Sequence, residues 1–78
     1  MGYSFKGEKQ KKIIIQFVKE GMTKKGTLYT AIMDEDKNWW NYWGVHGLDL
    51  EIGQEYGIFY HGINSINSIF PLKERNHA

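Results

Sequence analysis

Branched and aromatic residues in this chain gather in short runs, and glycine, aspartate or asparagine punctuates the gaps between them. The first run is Lys11 to Lys19 (KKIIIQFVK). Three successive isoleucines, then Phe17 and Val18, predict a strand, because such side chains fit a pleated, half-buried surface. Gly21 to Gly26 reads as a loop. Thr27 to Met33 (TLYTAIM) predicts a second strand, with Leu28, Thr30 and Ile32 on one face and Tyr29, Ala31 and Met33 on the other. Asp34 to Asn38 (DEDKN) reads as a tight turn, since Asp and Asn side chains hydrogen-bond to nearby backbone. A third strand is expected over Trp39 to Val45 and a fourth over Tyr56 to His61. Between them, Gly47 to Gln54 leaves room for one helical turn at most. In Ile63 to Ile69 the triplet Ile-Asn-Ser recurs at period three. That stretch predicts a bulge, or a loop that becomes strand near Ile69 and Phe70, and Pro71 belongs at a strand end. No segment sustains a helical repeat, so the chain is expected to be all-β.

The 78 residues suit one domain, 1–78, with frayed ends over about 1–8 and 74–78. Five short strands in so small a chain are expected to close into a barrel, because an open sheet would leave one apolar face wet. Cysteine is absent, which removes disulfides and thiolate metal sites and suits a cytoplasmic protein. No stretch is long and apolar enough to span a membrane, and the opening MGYSFKGEKQKK lacks the apolar core of a signal peptide.

Three features between Gly26 and His61 belong together. Strand two, LYTAIM, ends in Asp34 and an acidic turn; an aromatic strand follows; and Leu50-x-x-Gly53-x-x-Tyr56 leads into strand four. The arrangement resembles the oligonucleotide/oligosaccharide-binding barrel (OB-fold) of single-stranded-DNA-binding replication proteins. The resemblance implies a five-stranded barrel whose ligand lies across strands two and three, flanked by the one–two and four–five loops. On this chain those positions are Tyr29, the aromatic strand, Lys24, Lys25 and the loop around Asn64. His46 to Gln54 is shorter than the helical connection usual in such domains, so a Src-homology-like barrel stands as the second candidate architecture.

The run Trp39-Trp40-Asn41-Tyr42-Trp43-Gly44 holds all three tryptophans of the chain. Side chains alternate along a strand, so it divides into Trp39, Asn41, Trp43 and Val45 on one side and Trp40, Tyr42, Gly44 and His46 on the other. Val45, and a tryptophan with strand on both sides of it, assign Trp43 and Val45 to the core. The Tyr42 hydroxyl and His46 assign Trp40, Tyr42 and His46 to the surface, and Trp39 is assigned to neither. Outward rings would stack bases, a contact worth about 1–3 kcal/mol per base and tolerant of sequence. Lys12, Lys24 and Lys25 would hold the phosphates.

Charge is unevenly spread. Residues 1–25 carry seven lysines against Glu8 and Glu20, whereas residues 26–60 carry six acids against Lys37. Arg75 is the one arginine, so bidentate reading of bases by arginine is not expected. Asp34-x-Asp36-x-Asn38 opens like a calcium loop, but Trp39 and Val45 stand where glycine and glutamate are required. His46, His61 and His77 form no ligand pattern. With no Cys nucleophile and no phosphate-binding glycine loop, neither an enzyme nor a cofactor is expected. The expected function is binding of single-stranded nucleic acid with low sequence preference, through Tyr29, Trp40, Tyr42, His46, Lys12, Lys24 and Lys25. The alternative is a protein-interaction module, such as a phage or bacterial inhibitor docking its aromatic face on a host protein, with self-association as a variant. Modest basic content and the acidic middle of the chain favour it.

Overall fold

The computed structural model describes residues 7–72, which form six strands in one sheet. They are β1 (Lys9–Ile14), β2 (Phe17–Met22), β3 (Leu28–Met33), β4 (Trp39–Trp43), β5 (Glu55–His61) and β6 (Ser65–Pro71). The order across the sheet is β1-β5-β6-β4-β3-β2. Neighbours run antiparallel except β4 and β6, which meet in parallel at Asn41 and Ser65. The all-β expectation holds, and no helix forms among the described residues.

Six strands replace the five expected because the run Lys11 to Lys19 divides at Ile15-Gln16. The Ile15 amide donates to the Gln54 carbonyl at 3.2 Å, whereas the next amide, Gln16, donates to Met33 at 2.8 Å. β1 therefore pairs with β5 and β2 with β3, at opposite ends of the strand order. A flat sheet would hold those end strands about 24 Å apart, five spacings of about 4.8 Å. The chain from Ile14 to Phe17 reaches at most about 11 Å. The sheet must therefore curl until its edges approach at this corner, although no β1–β2 ladder closes it.

The curl wraps a core of Ile13, Ile15, Ile32, Trp40, Tyr56, Ile58 and Ile66, with Val18, Tyr42, Leu50, Tyr60 and Ile69 packed around it. Full burial of each isoleucine stabilises by about 1.5–3 kcal/mol relative to exposure. Inward positions run Ile13, Ile15, then Val18, so the side-chain parity shifts at the corner.

The period-three triplet has a direct cause. Tyr60 pairs with Ile66 and Phe59 with Ser68, which leaves Asn67 as an extra residue bulged from β6. One inserted residue lets Ile66 and Ile69, three apart, both meet the core. The connection before β5 is built by the Leu50-x-x-Gly53-x-x-Tyr56 residues. Leu50 packs on the core, Gly53 turns the chain at φ +87°, and the Tyr56 hydroxyl accepts the Glu51 amide at 3.0 Å. Gly53 also donates to the Ile15 carbonyl at 2.7 Å, tying this turn to the β1–β2 corner.

Of the ends expected to fray, residues 1–6 and 74–78 lie outside the described residues. Glu8 is described, and its carboxylate accepts from the Asn67 side chain at 2.7 Å. No described helix is long and apolar enough to cross a membrane.

Candidate functional site

Register across the β3–β4 hairpin decides which rings face out. The Asp34 amide donates to the Asn38 carbonyl, and Asp34 Oδ1 accepts the Asp36 and Asn38 amides at 2.8 and 3.0 Å. This closed turn pairs Met33 with Trp39, Ile32 with Trp40 and Thr30 with Tyr42. Directly paired residues share a face, so Trp40 and Tyr42 follow Ile32 and Thr30 inward. For Trp40 and Trp43 the expected assignment is thereby reversed, whereas His46 is exposed as expected. Trp40 is 3% exposed, while Trp39 and Trp43 are 42% and 47% exposed. Tyr42 is half-buried against the core and its hydroxyl donates to the Asn67 carbonyl at 3.3 Å. Val45 lies past the strand end, half-buried, its carbonyl accepting the buried Thr30 hydroxyl at 2.6 Å. Trp40 therefore offers no ring face to a ligand, and Tyr42 is turned to the core side with its hydroxyl engaged.

Asp34 is itself solvent-free, and its Oδ2 accepts the Trp40 indole N–H at 2.9 Å. Burial alone would raise its pKa. The hydrogen bonds from Trp40, Asn38 and Asp36, with the Lys11 charge, outweigh burial and hold the carboxyl below its ordinary 3.8. The calcium-like spacing is thus consumed within the turn, and among the described residues no three His, Asp or Glu side chains gather to hold a metal ion.

The outer face of β2, β3 and β4 carries three cross-strand rows: Phe17–Met33–Trp39, Lys19–Ala31–Asn41 and Gly21–Tyr29–Trp43. Between the outer rows lies a hollow of about 260 Å³, lined by Lys19, Tyr29, Ala31, Trp39, Asn41 and Trp43. Each exposed indole is braced edge-on by a neighbouring ring, Phe17 against Trp39 at 5.9 Å and Tyr29 against Trp43 at 5.6 Å. Gly21 makes the second brace possible, because a Cβ there would lie 2.4 Å from the Tyr29 hydroxyl oxygen. Four positions of extended chain separate the indoles by about 13 Å along β4. Ala31, the smallest side chain of the middle row, leaves the floor low. This is a slot with aromatic walls, a floor of Ala31 and Asn41, and one cation, Lys19.

The other expected site residues scatter. Tyr29 belongs to the slot. Lys24 and Lys25 occupy the β2–β3 loop, beyond its Tyr29–Trp43 end. The β5–β6 loop flanks β4: the Asn64 carbonyl accepts the Asn41 amide at 2.9 Å and its side chain donates to the Trp39 carbonyl at 2.8 Å. His46 braces rather than lines the slot, its Nε2 donating to the Gly21 carbonyl at 2.9 Å, while Glu20 accepts the Gly47 amide at 2.6 Å. Lys12 pairs with Gly57 in the β1–β5 part of the sheet and does not line the slot. Phe17, Lys19, Trp39, Asn41 and Trp43 are the residues that strand-by-strand reading misses. Pairing Ile32 across the Asp34–Asn38 turn is the signal that finds them.

A second hollow, about 330 Å³, is lined by Leu48, Asp49, Leu50, Glu51, Gln54, Tyr56, Ile69 and Pro71. Its two carboxylates and absent cations disfavour a phosphate chain, whereas Lys19 and the loop lysines favour one at the aromatic slot. Compared with protein-family models, with curated proteins and with solved structures, the chain matches none.

Proposed function

We propose that this protein is an OB-like barrel that binds single-stranded nucleic acid, without catalysis, across the outer face of β2, β3 and β4. The observation that carries the reading is the pair Trp39 and Trp43, both about half exposed on one side of one strand, with Lys19 between their rows. Exposed rings of this size cost solvation free energy and serve as stacking platforms for bases of any identity. The fold supports the reading too. Counting β1 and β2 as one bent strand gives five strands in a curled, partly open circuit, with the platform between the β2–β3 and β5–β6 loops. Lys24 and Lys25 extend the positive charge past one end of the slot, where a phosphate backbone would leave it.

The test is titration with oligo-dT at low salt while tryptophan emission is followed. Two of the three indoles are accessible, so stacking quenches a large part of the emission at micromolar protein. An unchanged spectrum sinks the reading.

A further inference from the structure

Asn41 occupies the centre of the slot floor, and the fold makes no use of its side chain. Its backbone amide donates to the Asn64 carbonyl, which holds β4 beside the β5–β6 loop. The side-chain amide makes no hydrogen bond to any described residue, though it is half-buried between the two indoles. Asparagine is poor in the middle of a strand, where branched and aromatic residues pack better. At the same level on β3 and β2 stand Ala31, too small to fill the slot, and Lys19. The sheet thus carries an unfavourable, unpartnered polar group at the one point where a ligand ring would present its edge.

Stacked bases lie about 3.4 Å apart, so the roughly 13 Å between the indole positions spans about four stacking intervals, room for about three stacked bases with the middle one over Asn41. A ring held between those walls turns its polar edge toward the floor. There the Asn41 amide offers a donor beside an acceptor, the pattern with which asparagine engages a base edge in two hydrogen bonds, as it does with adenine N6 and N7. We infer that Asn41 reads the edge of a base lodged between Trp39 and Trp43, so that one position of an otherwise sequence-tolerant site has a base preference. This rests on the single-strand reading above and adds a specificity-determining residue to it.

The experiment measures affinity for labelled dA, dC and dT oligomers of equal length, by anisotropy at one fixed low salt, for wild type, Asn41→Ala, Asn41→Asp and Trp39→Ala. Wild type is expected to show a spread of roughly fivefold or more between its best and worst oligomer. Asn41→Ala compresses the spread to under about twofold, and what survives measures stacking alone. Asn41→Asp, close in shape and able only to accept, moves the ranking toward dC, whose N4 amine donates. Its near-identity in volume keeps the test decisive should Asn41→Ala fold poorly. Equal binding of all three oligomers by wild type, or an unchanged spread in Asn41→Ala, overturns the role of Asn41. In either case a loss of affinity in Trp39→Ala leaves the stacking face standing. Absence of binding to every oligomer by wild type overturns both.

Discussion

The Trp40 indole donates to Asp34 Oδ2 across 2.9 Å, and the two residues sit at opposite ends of the short arc that joins β3 to the core side of β4. One carboxylate thereby holds the turn with Oδ1 and a core ring with Oδ2. Removing it leaves a buried indole N–H and two turn amides without acceptors. Asp34→Ala is expected to destabilise by at least about 2 kcal/mol, lowering Tm by roughly 10 °C. Trp40→Phe also destabilises, and the double variant loses less than the sum of the two. Urea unfolding of the four proteins checks this, and strict additivity would show that the pair does not act as a unit.

The same carboxylate sets an acid limit. Its folded pKa lies below the ordinary 3.8, so the folded state binds the proton less readily than the unfolded chain. Stability from Asp34 is therefore fully present above about pH 4 and disappears as pH falls through the folded pKa. Unfolding free energy followed from pH 6 to pH 2 should decline at the acid end in wild type. Asp34→Asn, already weakened because its single accepting oxygen cannot serve both the turn amides and the Trp40 indole N–H, should show a shallower decline. Parallel curves would mean that other carboxyls carry the acid limit.

Much of this fold is legible in the residues. The Asp34–Asn38 turn, the Leu50-x-x-Gly53-x-x-Tyr56 connection and the bulge in Ile63–Ile69 follow from local chemistry, and each is where it was expected. The division of the first strand was not, because nothing local at Ile15-Gln16 announces it; the break exists only because the two halves meet different partners. The aromatic strand shows a different failure. Read alone, alternation splits it into two sets but cannot tell in from out, and the Tyr42 hydroxyl and His46 pointed the wrong way. Read through the hairpin, the set Leu28, Thr30 and Ile32 lies opposite positions 44, 42 and 40, which fixes the faces. The Tyr42 hydroxyl reaches a partner only because the distant bulge at Asn67 supplies a carbonyl.

Burial of one indole and exposure of two gives a spectroscopic prediction. In Trp39→Phe/Trp43→Phe, where Trp40 alone remains, emission should be blue-shifted and resistant to iodide; in either protein retaining an outer indole it should be quenched. The same outer indoles carry the affinity. Trp39→Ala and Trp43→Ala should each weaken oligo-dT binding by roughly 5- to 150-fold, the equivalent of about 1–3 kcal/mol per stacked base. Unfolding free energy should change little, since both rings are half exposed. Loss of stability equal to loss of binding would assign the rings to structure.

Gly21 should be sensitive although it touches no ligand. A Cβ built there lies 2.4 and 2.5 Å from the Tyr29 hydroxyl oxygen and ring, so a larger residue must push Tyr29 off β2 and away from Trp43. Gly21→Val is expected to weaken oligo-dT binding severalfold. Tyr29→Ala with Gly21→Val should bind no worse than Tyr29→Ala alone, because the clash is then gone. A Gly21→Val protein with wild-type affinity would show that Tyr29 contributes nothing to the slot.

Salt dependence tests whether a phosphate chain is what the lysines meet. Neutralising phosphates on a single strand gives log K against log salt a slope of about −0.7 for each one. Lys19 in the slot, with Lys24 and Lys25 in the adjoining loop, would together give a slope near −2 for oligo-dT. Lys24→Ala/Lys25→Ala should bring it to about −0.7, with Lys19 alone remaining. Lys12→Ala should leave it unchanged, because Lys12 sits on β1 opposite Gly57 and does not line the slot. Anisotropy titrations at several salt concentrations give the slopes directly. Binding that ignores salt and survives nuclease in a pull-down, yet is abolished by Trp43→Ala, would assign the same aromatic face to a protein partner, for which exposed tryptophans are equally apt.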